Sequence, residues 1–247
     1  MIVNVVKPKF QLLTPLDHIK DYPRLIELAG RTCYKSEKRI TPDSASKFIR
    51  MLIQSKHLSV LEHCSITVMV IGSRSMSHQL VRHRIAAYSQ ESQRYCDYKI
   101  RGIRAVCPPS ISGSVEEEGT YEKKDDNWFS PSGQALNSQV CELFVDWLDT
   151  IAYTYEMYKK FRERGIKAED ARELLTNSTK TEVVTTYNLR QWRHVFEERV
   201  LNTHAQWQIR WIMQSIMFKF DELLPDVFAD LMEKFKTEMK SEEKNNH

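Results

Sequence analysis

Residues 140–165, VCELFVDWLDTIAYTYEMYKKFRERG, decide how this chain is built. Leu143, Phe144, Trp147, Leu148, Ile151, Tyr155 and Tyr158 recur at three- and four-residue steps, the period that lays apolar side chains along one stripe of an α-helix. Gly165 closes the run, where a helix C-terminus favours a residue free to turn left-handed. A different pattern follows: the β-branched run from Thr179 to Thr186 suits a strand. Upstream, Ile66, Val68 and Val70 alternate with Thr67, Met69 and Ile71 before Gly72-Ser73 ends the run. The intervening residues are also largely apolar, so this strand is expected to be buried on both faces. Helices dominate with a minority of strand, which predicts the α+β class in a single domain.

Outward from these anchors the pattern is uneven. Thr41-Pro42 reads as a helix start, a capping hydroxyl followed by proline at the first helical position. Ala45, Phe48, Ile49 and Leu52 follow at helical spacing, and the pattern ends near Gln54. Ser73 to Arg84 is expected to be a helix or helix-like turn. Residues 96–138 contain Cys107-Pro108-Pro109-Ser110, Glu116-Glu117-Glu118-Gly119 and Asp125-Asp126-Asn127, all loop chemistry. That stretch is read as a long excursion from the core, its acidic part a solvated loop rather than a lid. A short helix carries Ala171-Arg172, and two more cover roughly 188–199 and 204–220. In the second of these Ile209, Ile212, Met213, Ile216 and Phe220 share one side. A last amphipathic piece spans Pro225 to Phe235, so the domain is expected over 1–240 with a frayed polar tail at 241–247.

Composition narrows the function classes. The 247 residues are 41% hydrophobic and 28% charged, within the range of soluble globular proteins. A net charge of +3 admits an anionic small molecule without demanding nucleic acid or a membrane surface. No apolar run approaches a membrane span, and Lys7 and Lys9 interrupt the N-terminus too soon for a signal peptide. The five cysteines, Cys33, Cys64, Cys96, Cys107 and Cys141, form no Cys-x-x-Cys pair and read as reduced thiols of a cytoplasmic protein. The eight histidines show no ligand spacing, so no metal is expected.

The arginines are clustered. Arg82-His83-Arg84 precedes Arg94, with Ser89, Gln90 and Ser92 between them and Tyr88 and Tyr95 flanking. A second group holds Arg172, Asn188-Leu189-Arg190, Arg193, His194, Arg199 and His204. Guanidinium forks bind phosphate oxygens in pairs, and hydroxyls complete the shell. An arginine at helical spacing is more commonly part of a solvated face or a surface ion pair, so the clusters alone leave the question open.

The order of the segments resolves it. Arg82-His83-Arg84-Ile85-Ala86-Ala87-Tyr88-Ser89-Gln90-Glu91-Ser92-Gln93-Arg94-Tyr95 resembles the signature of the flavin-dependent thymidylate synthases: Arg-His-Arg, seven residues, Ser, then x-Arg-Tyr. His57-Leu58-Ser59-Val60-Leu61-Glu62-His63 resembles the family's stretch before a strand, and Glu169-Asp170-Ala171-Arg172 its Ala-Arg element. Asn188 to His194, then Arg199 with His204-Ala205-Gln206, resemble the segments that follow. The resemblance implies a central, mostly antiparallel sheet flanked by helices, of the thymidylate synthase-complementing protein type. It implies dUMP methylation to dTMP with 5,10-methylenetetrahydrofolate as carbon donor and NADPH electrons passed through FAD. It also implies a homotetramer with active sites at subunit interfaces. Gln79, Leu80, Val81 and Arg82 would line the dUMP pocket with Gln90, Glu91, Ser92, Gln93, Arg94 and Arg172. FAD would meet Ser59, Arg82, His83, Arg84, Gln90, Asn188, Leu189, Arg190 and His194. His57 would lie where the folate ring stacks on the flavin.

Arg199 resembles the arginine that activates the substrate. C5 of uracil is a poor nucleophile until negative charge builds on the ring, and a fixed guanidinium stabilises that charge. Ordinary thymidylate synthases attack with a cysteine thiolate; here no cysteine falls inside the matching segments, so none is assigned as nucleophile. Ser92, for which no His-Asp partner is identifiable, is read as a hydrogen-bonding group for dUMP. Three positions depart from the family: His194 replaces the Asn of some members, Gln90 the common Glu, and Thr176 the Pro after Leu-Leu. Competing readings are a nucleic-acid-binding module, which normally carries a stronger basic excess, an unrelated flavin reductase, and a helical scaffold.

Overall fold

The computed structural model describes residues 1–113, 117–136 and 138–245. In chain order it forms β1 (Ile2–Val5), β2 (Lys9–Leu12), α1 (Leu16–Cys33), α2 (Ser44–Gln54), β3 (Ser65–Ser73), α3 (Arg74–Leu80) and β4 (Ala87–Gln90). The middle of the chain gives α4 (Tyr98–Arg101), β5 (Arg104–Ala105), α5 (Pro109–Ser112), β6 (Gly119–Lys124), β7 (Asn127–Phe129) and α6 (Ser138–Glu163). The last third gives α7 (Ala168–Ala171), β8 (Lys180–Asn188), α8 (Leu189–Phe196), α9 (Trp207–Leu223) and α10 (Pro225–Asn245). The class is α+β, with the strands in two four-stranded sheets ordered β5-β1-β6-β7 and β2-β3-β8-β4. Chain contacts group into two compact units: Met1–Lys9, Ile71–His78 and Gln90–Val183 in the first, and Phe10–Val70, Gln79–Ser89 and Val184–His247 in the second.

In the first unit α6 does what its stripe predicts. Phe144, Trp147, Leu148 and Ile151 pack on Val3, Val5, Tyr121 and Trp128 of the sheet. Fully burying a side chain of this size contributes about 1.5–3 kcal/mol. Leu143 is the exception: it is 64% exposed. Gly165 closes the helix at φ +82°, and the Ile166 N–H reaches back to the Phe161 carbonyl. The expected loop excursion over 96–138 contains α4, β5, α5, β6 and β7, so about half of its described residues are regular structure. β6 runs antiparallel to β1, with Ile2 opposite Glu122 and Val5 opposite Gly119, and β7 pairs back on β6. Asp125 and Asp126 are the two-residue turn joining β6 to β7, at φ +46° and +62°. Two adjacent left-handed residues match the strand twist in such a turn, and aspartate tolerates the conformation. The acidic segment is therefore partly a strand; Glu116 lies outside the described residues.

In the second unit β3 buries Ile66, Val68 and Val70 completely, whereas Thr67 and Met69 are only half-buried. The expectation of burial on both faces holds fully for one face only; on the other, Thr67 Oγ1 lies 2.8 Å from Thr186 Oγ1. The helix expected from Thr41-Pro42 begins at Ser44. The Ser44 hydroxyl accepts the Thr41 N–H at 2.9 Å and donates to Glu27, a nearly buried carboxylate that Arg31 pairs at 3.0 Å. With Ser44 so engaged, α2 starts two residues later than Pro42. Gly30 lets α1 approach α2, since a Cβ there would come 2.7 Å from the Phe48 ring. Downstream, Tyr187, Trp192, Phe196, Phe220 and Phe228 form an aromatic core with ring centroids 4.5–5.8 Å apart. α10 continues helical to Asn245 through most of the expected tail; Asn246 and His247 lie outside the described residues.

Candidate active site

α3 ends at Leu80, and the chain then turns back into β4 through Val81-Arg82-His83-Arg84. Tyr88 ties this turn. Its hydroxyl lies 2.9 Å from the Leu80 carbonyl, 2.5 Å from the His83 carbonyl and 2.8 Å from the Tyr187 hydroxyl. One proton serves the two carbonyls, and Tyr187 donates to Tyr88. Held this way, the turn buries His83 and leaves Arg82 and Arg84 exposed.

Arg199 comes to His83 from the other side. α8 does not continue as a regular α-helix: Glu197–Leu201 form a π-helical turn. Such turns free a carbonyl, and here Arg210 Nε donates to the Val200 oxygen at 3.3 Å. Arg199 Nε donates to His83 Nε2 at 3.0 Å, while its two terminal nitrogens donate to Gln79, to Oε1 at 3.2 Å and to the main-chain oxygen at 3.4 Å. His83 must therefore be neutral, with its proton on Nδ1. Burial, then the Arg199 charge, then His194 hold its pKa down at about 4. Arg199 has no carboxylate partner among the described residues, so its charge is not neutralised.

A cleft of about 730 Å³ opens beside this group. Arg82, His83, Arg84, Asn188, Arg190 and His194 line it, so six of the residues expected at flavin share one wall. Asn188 also caps α8, its side-chain oxygen accepting the Gln191 N–H at 2.8 Å. Arg82 and Arg84 carry no carboxylate partner among the described residues, whereas Arg190 pairs with Glu62 at 2.5 Å. A second cleft of about 350 Å³ shares Leu58 and Arg190 with the first and holds His57, Ser59 and Tyr34. Leu80 and Leu189 are fully buried, which leaves only their main chain to meet a ligand. Val81 is exposed.

The remaining expected residues belong to the first unit. Arg94 Nε donates to Glu169 Oε2 at 3.0 Å, and Arg172 Nε to the Glu169 carbonyl at 3.0 Å, which brings those two arginines to one residue. Ser92 Oγ accepts the Arg94 N–H at 3.3 Å. Gln93 is half-buried nearby in sequence. Gln90, the last residue of β4, and Glu91, just beyond it, part company. The Gln90 amide bonds Ser77 and Thr181, while Glu91 accepts from Lys180 at 3.1 Å and Tyr98 at 3.3 Å in a different pocket of about 390 Å³. Thr176, at the departure from Leu-Pro, opens a turn whose Thr179 N–H bonds its carbonyl at 3.1 Å. Among cysteines, Cys64 is buried, and burial pushes its thiol up to about 11, away from thiolate chemistry.

Several participants escape the sequence. Tyr88 and Tyr187 look like aromatic filler until their hydroxyls are seen to set the turn. Glu197 lines the first cleft from a helix end where acidic residues carry no motif. Lys180 reads as an exposed strand lysine, yet it is buried between Glu91 and Glu182. Alternation of Thr179, Thr181, Val183 and Thr185 on the buried face was the signal for Thr181, which is completely buried.

The model of the thymidylate synthase complementing protein family matches residues 15–226. The chain belongs to this family. A flavin-dependent thymidylate synthase of Geobacter sulfurreducens is 32% identical over 222 residues, covering 87% of this chain and 84% of the relative. One from Pyrococcus furiosus is 33% identical over 230 residues, covering 91% and 80%. One from Mycobacterium sp. (strain JLS) is 35% identical over 209 residues, covering 83% and 78%. Among solved structures, a UMP/dUMP methylase from Streptomyces cacaoi bound with 5-Br dUMP matches with a TM-score of 0.68 over 95% of this chain and 97% of that one. At 22% identity that likeness establishes the fold. The chain is thus an enzyme of the flavin-dependent thymidylate synthase family, and no described helix is long and apolar enough to cross a membrane.

Proposed function

We propose that the enzyme converts dUMP to dTMP, with 5,10-methylenetetrahydrofolate as carbon donor and NADPH electrons passed through FAD. The observation that carries this reading is Arg199: a guanidinium held by three neutral acceptors, beside a cleft with two arginines that have no carboxylate partner among the described residues. FAD would supply hydride chemistry when bound. The residues present fit it, because a dinucleotide's two phosphates need cations that no carboxylate already neutralises, and Arg82 and Arg84 meet that need. Asn188, Arg190 and His194 would complete its shell, with Ser59 in the adjoining cleft and His57 at the folate ring. Arg94 meets the Glu169 carboxylate through Nε alone and Arg172 meets only its main-chain oxygen, so the terminal nitrogens of both would hold the nucleotide phosphate with Ser92. Arg199 stays protonated and stabilises negative charge on the uracil ring as C5 becomes nucleophilic. The bonds to His83 and Gln79 fix it beforehand, so no reorganisation is needed as that charge develops. Assembly as a homotetramer and a cytoplasmic location belong to the same reading.

The test is an absorption spectrum of the purified protein with and without added FAD, then anaerobic NADPH with and without dUMP. Flavin that bleaches with NADPH, together with a thermal shift on adding dUMP, is the expected result. No flavin bound even with FAD in excess would overturn the proposal.

A further inference from the structure

Gln90 is held by a directed hydrogen-bond chain within the first unit. The Ser77 hydroxyl donates to the Arg74 carbonyl at 2.8 Å. A hydroxyl has one proton, so toward Gln90 the Ser77 oxygen can only accept. Gln90 Nε2 lies 2.9 Å from Ser77 Oγ and 3.2 Å from Thr181 Oγ1. Ser77 is 1% exposed and Thr181 0%, so water does not compete for either oxygen. The chain thus settles which way round the amide sits: nitrogen toward Ser77, oxygen away. With the opposite orientation, the amide oxygen would face an oxygen whose proton is already committed. Among the described residues, Gln90 Oε1 accepts no hydrogen bond, so a half-buried side chain is left offering one neutral acceptor.

We propose that Ser77 is a positioning residue that locks the Gln90 amide, and that Gln90 Oε1 thereby selects a nucleotide group carrying a proton, an imide N–H or a sugar hydroxyl, over an anionic oxygen. This rests on the reading of dUMP as substrate. A locked acceptor lowers the ordering cost of binding, because the side chain does not have to choose its orientation when the nucleotide arrives. It also sets a preference by charge: a phosphate oxygen or an ionised ring presents no proton to Oε1 and is disfavoured there.

The experiment measures dissociation constants of dUMP and two analogues, N3-methyl-dUMP and 2′,3′-dideoxyuridine monophosphate, by thermal shift and flavin absorbance. Wild type, Gln90→Met and Ser77→Ala are compared, all as flavin-loaded protein. In wild type one analogue is expected to bind about 3- to 10-fold more weakly than dUMP, the range of one neutral hydrogen bond. The analogue that weakens identifies the donor, N3–H or 3′-hydroxyl. In Gln90→Met, dUMP weakens by a similar factor and that analogue shows no further loss. Ser77→Ala shows a smaller loss and a reduced discrimination, which a packing role for Ser77 would not produce. Wild type binding dUMP and both analogues equally well would overturn the inference and needs no variant to fold. So would Gln90→Met retaining the analogue discrimination. Failure of wild type to bind dUMP at all would sink the proposed function instead, which keeps the two apart.

Discussion

Arg193 and Arg199 stand six residues apart on one helical run, and their surroundings give them opposite work. Arg193 is buried in α8, its terminal nitrogens on both Asp230 oxygens at 2.7 and 2.6 Å and on the Val227 carbonyl. Arg199, on the π turn, meets an imidazole nitrogen and amide oxygens among the described residues. A carboxylate partner cancels a guanidinium's field and makes it a clamp between elements. Neutral acceptors fix the same group in place yet leave its charge to act on whatever enters. For a chain rich in arginine, the useful distinction is therefore the partner and not the arginine.

Substitutions can break that distinction. Arg199→Ala should have the largest effect, lowering kcat for dTMP formation about 10²- to 10³-fold, the usual cost of removing one preorganised charge-stabilising donor. The melting temperature should barely move; a variant that loses activity by unfolding would erase the contrast. Arg193→Ala should do the reverse. Breaking a fully buried pair costs about 3–5 kcal/mol, but the Asp230 side chain is 40% exposed, so a loss of about 2 kcal/mol is expected in urea unfolding. The folded fraction should keep its dUMP affinity.

Arg84→Gln tests the unpaired cations of the cleft. FAD affinity, measured by equilibrium titration of the apoprotein, should fall about tenfold, the range of one charge-assisted hydrogen bond, with little change in unfolding. His83 gives a pH signature. Its folded pKa lies at about 4, below the ordinary 6.5, chiefly through burial and then through Arg199. The unfolded chain therefore takes up a proton first as pH falls, and the stabilising contribution is complete above about pH 6.5 and declines toward pH 4. Stability of wild type relative to His83→Gln, which keeps an acceptor but cannot titrate, should drop through that window. A flat difference would mean that His83 titrates in the folded protein as it does in the unfolded chain and is not held neutral by Arg199. Glu62→Gln should matter least. The pair with Arg190 is about half exposed, and unfolding should shift by no more than about 0.5 kcal/mol.

Much of the frame was readable because its signals are local. The stripe of α6, the strand of Ile66, Val68 and Val70, and the helices after Asn188 each declare their period within a dozen residues. β1 and β2 did not, since four-residue strands carry too few alternations, and β1 meets its partner β6 more than a hundred residues away. The Asp125–Asp126 turn was misread because aspartates mark loops and hairpin turns alike; only a partner strand distinguishes them. At the candidate site, residue types and order were legible through motif. Which arginines were already paired was not, because Glu62, Glu169 and Asp230 reach them from other parts of the chain.

The π turn at Glu197–Leu201 holds one residue more than an α-helix needs to cover the same advance. A deletion of Glu197 or Glu198 could be absorbed by regular helix with Arg199 still present in the sequence. It would also carry Arg199 about 100° around the helix axis, off His83 and Gln79. In this stretch, chain length is itself a functional constraint: a shortened relative with Arg, His and Gln all in place would still lack the site.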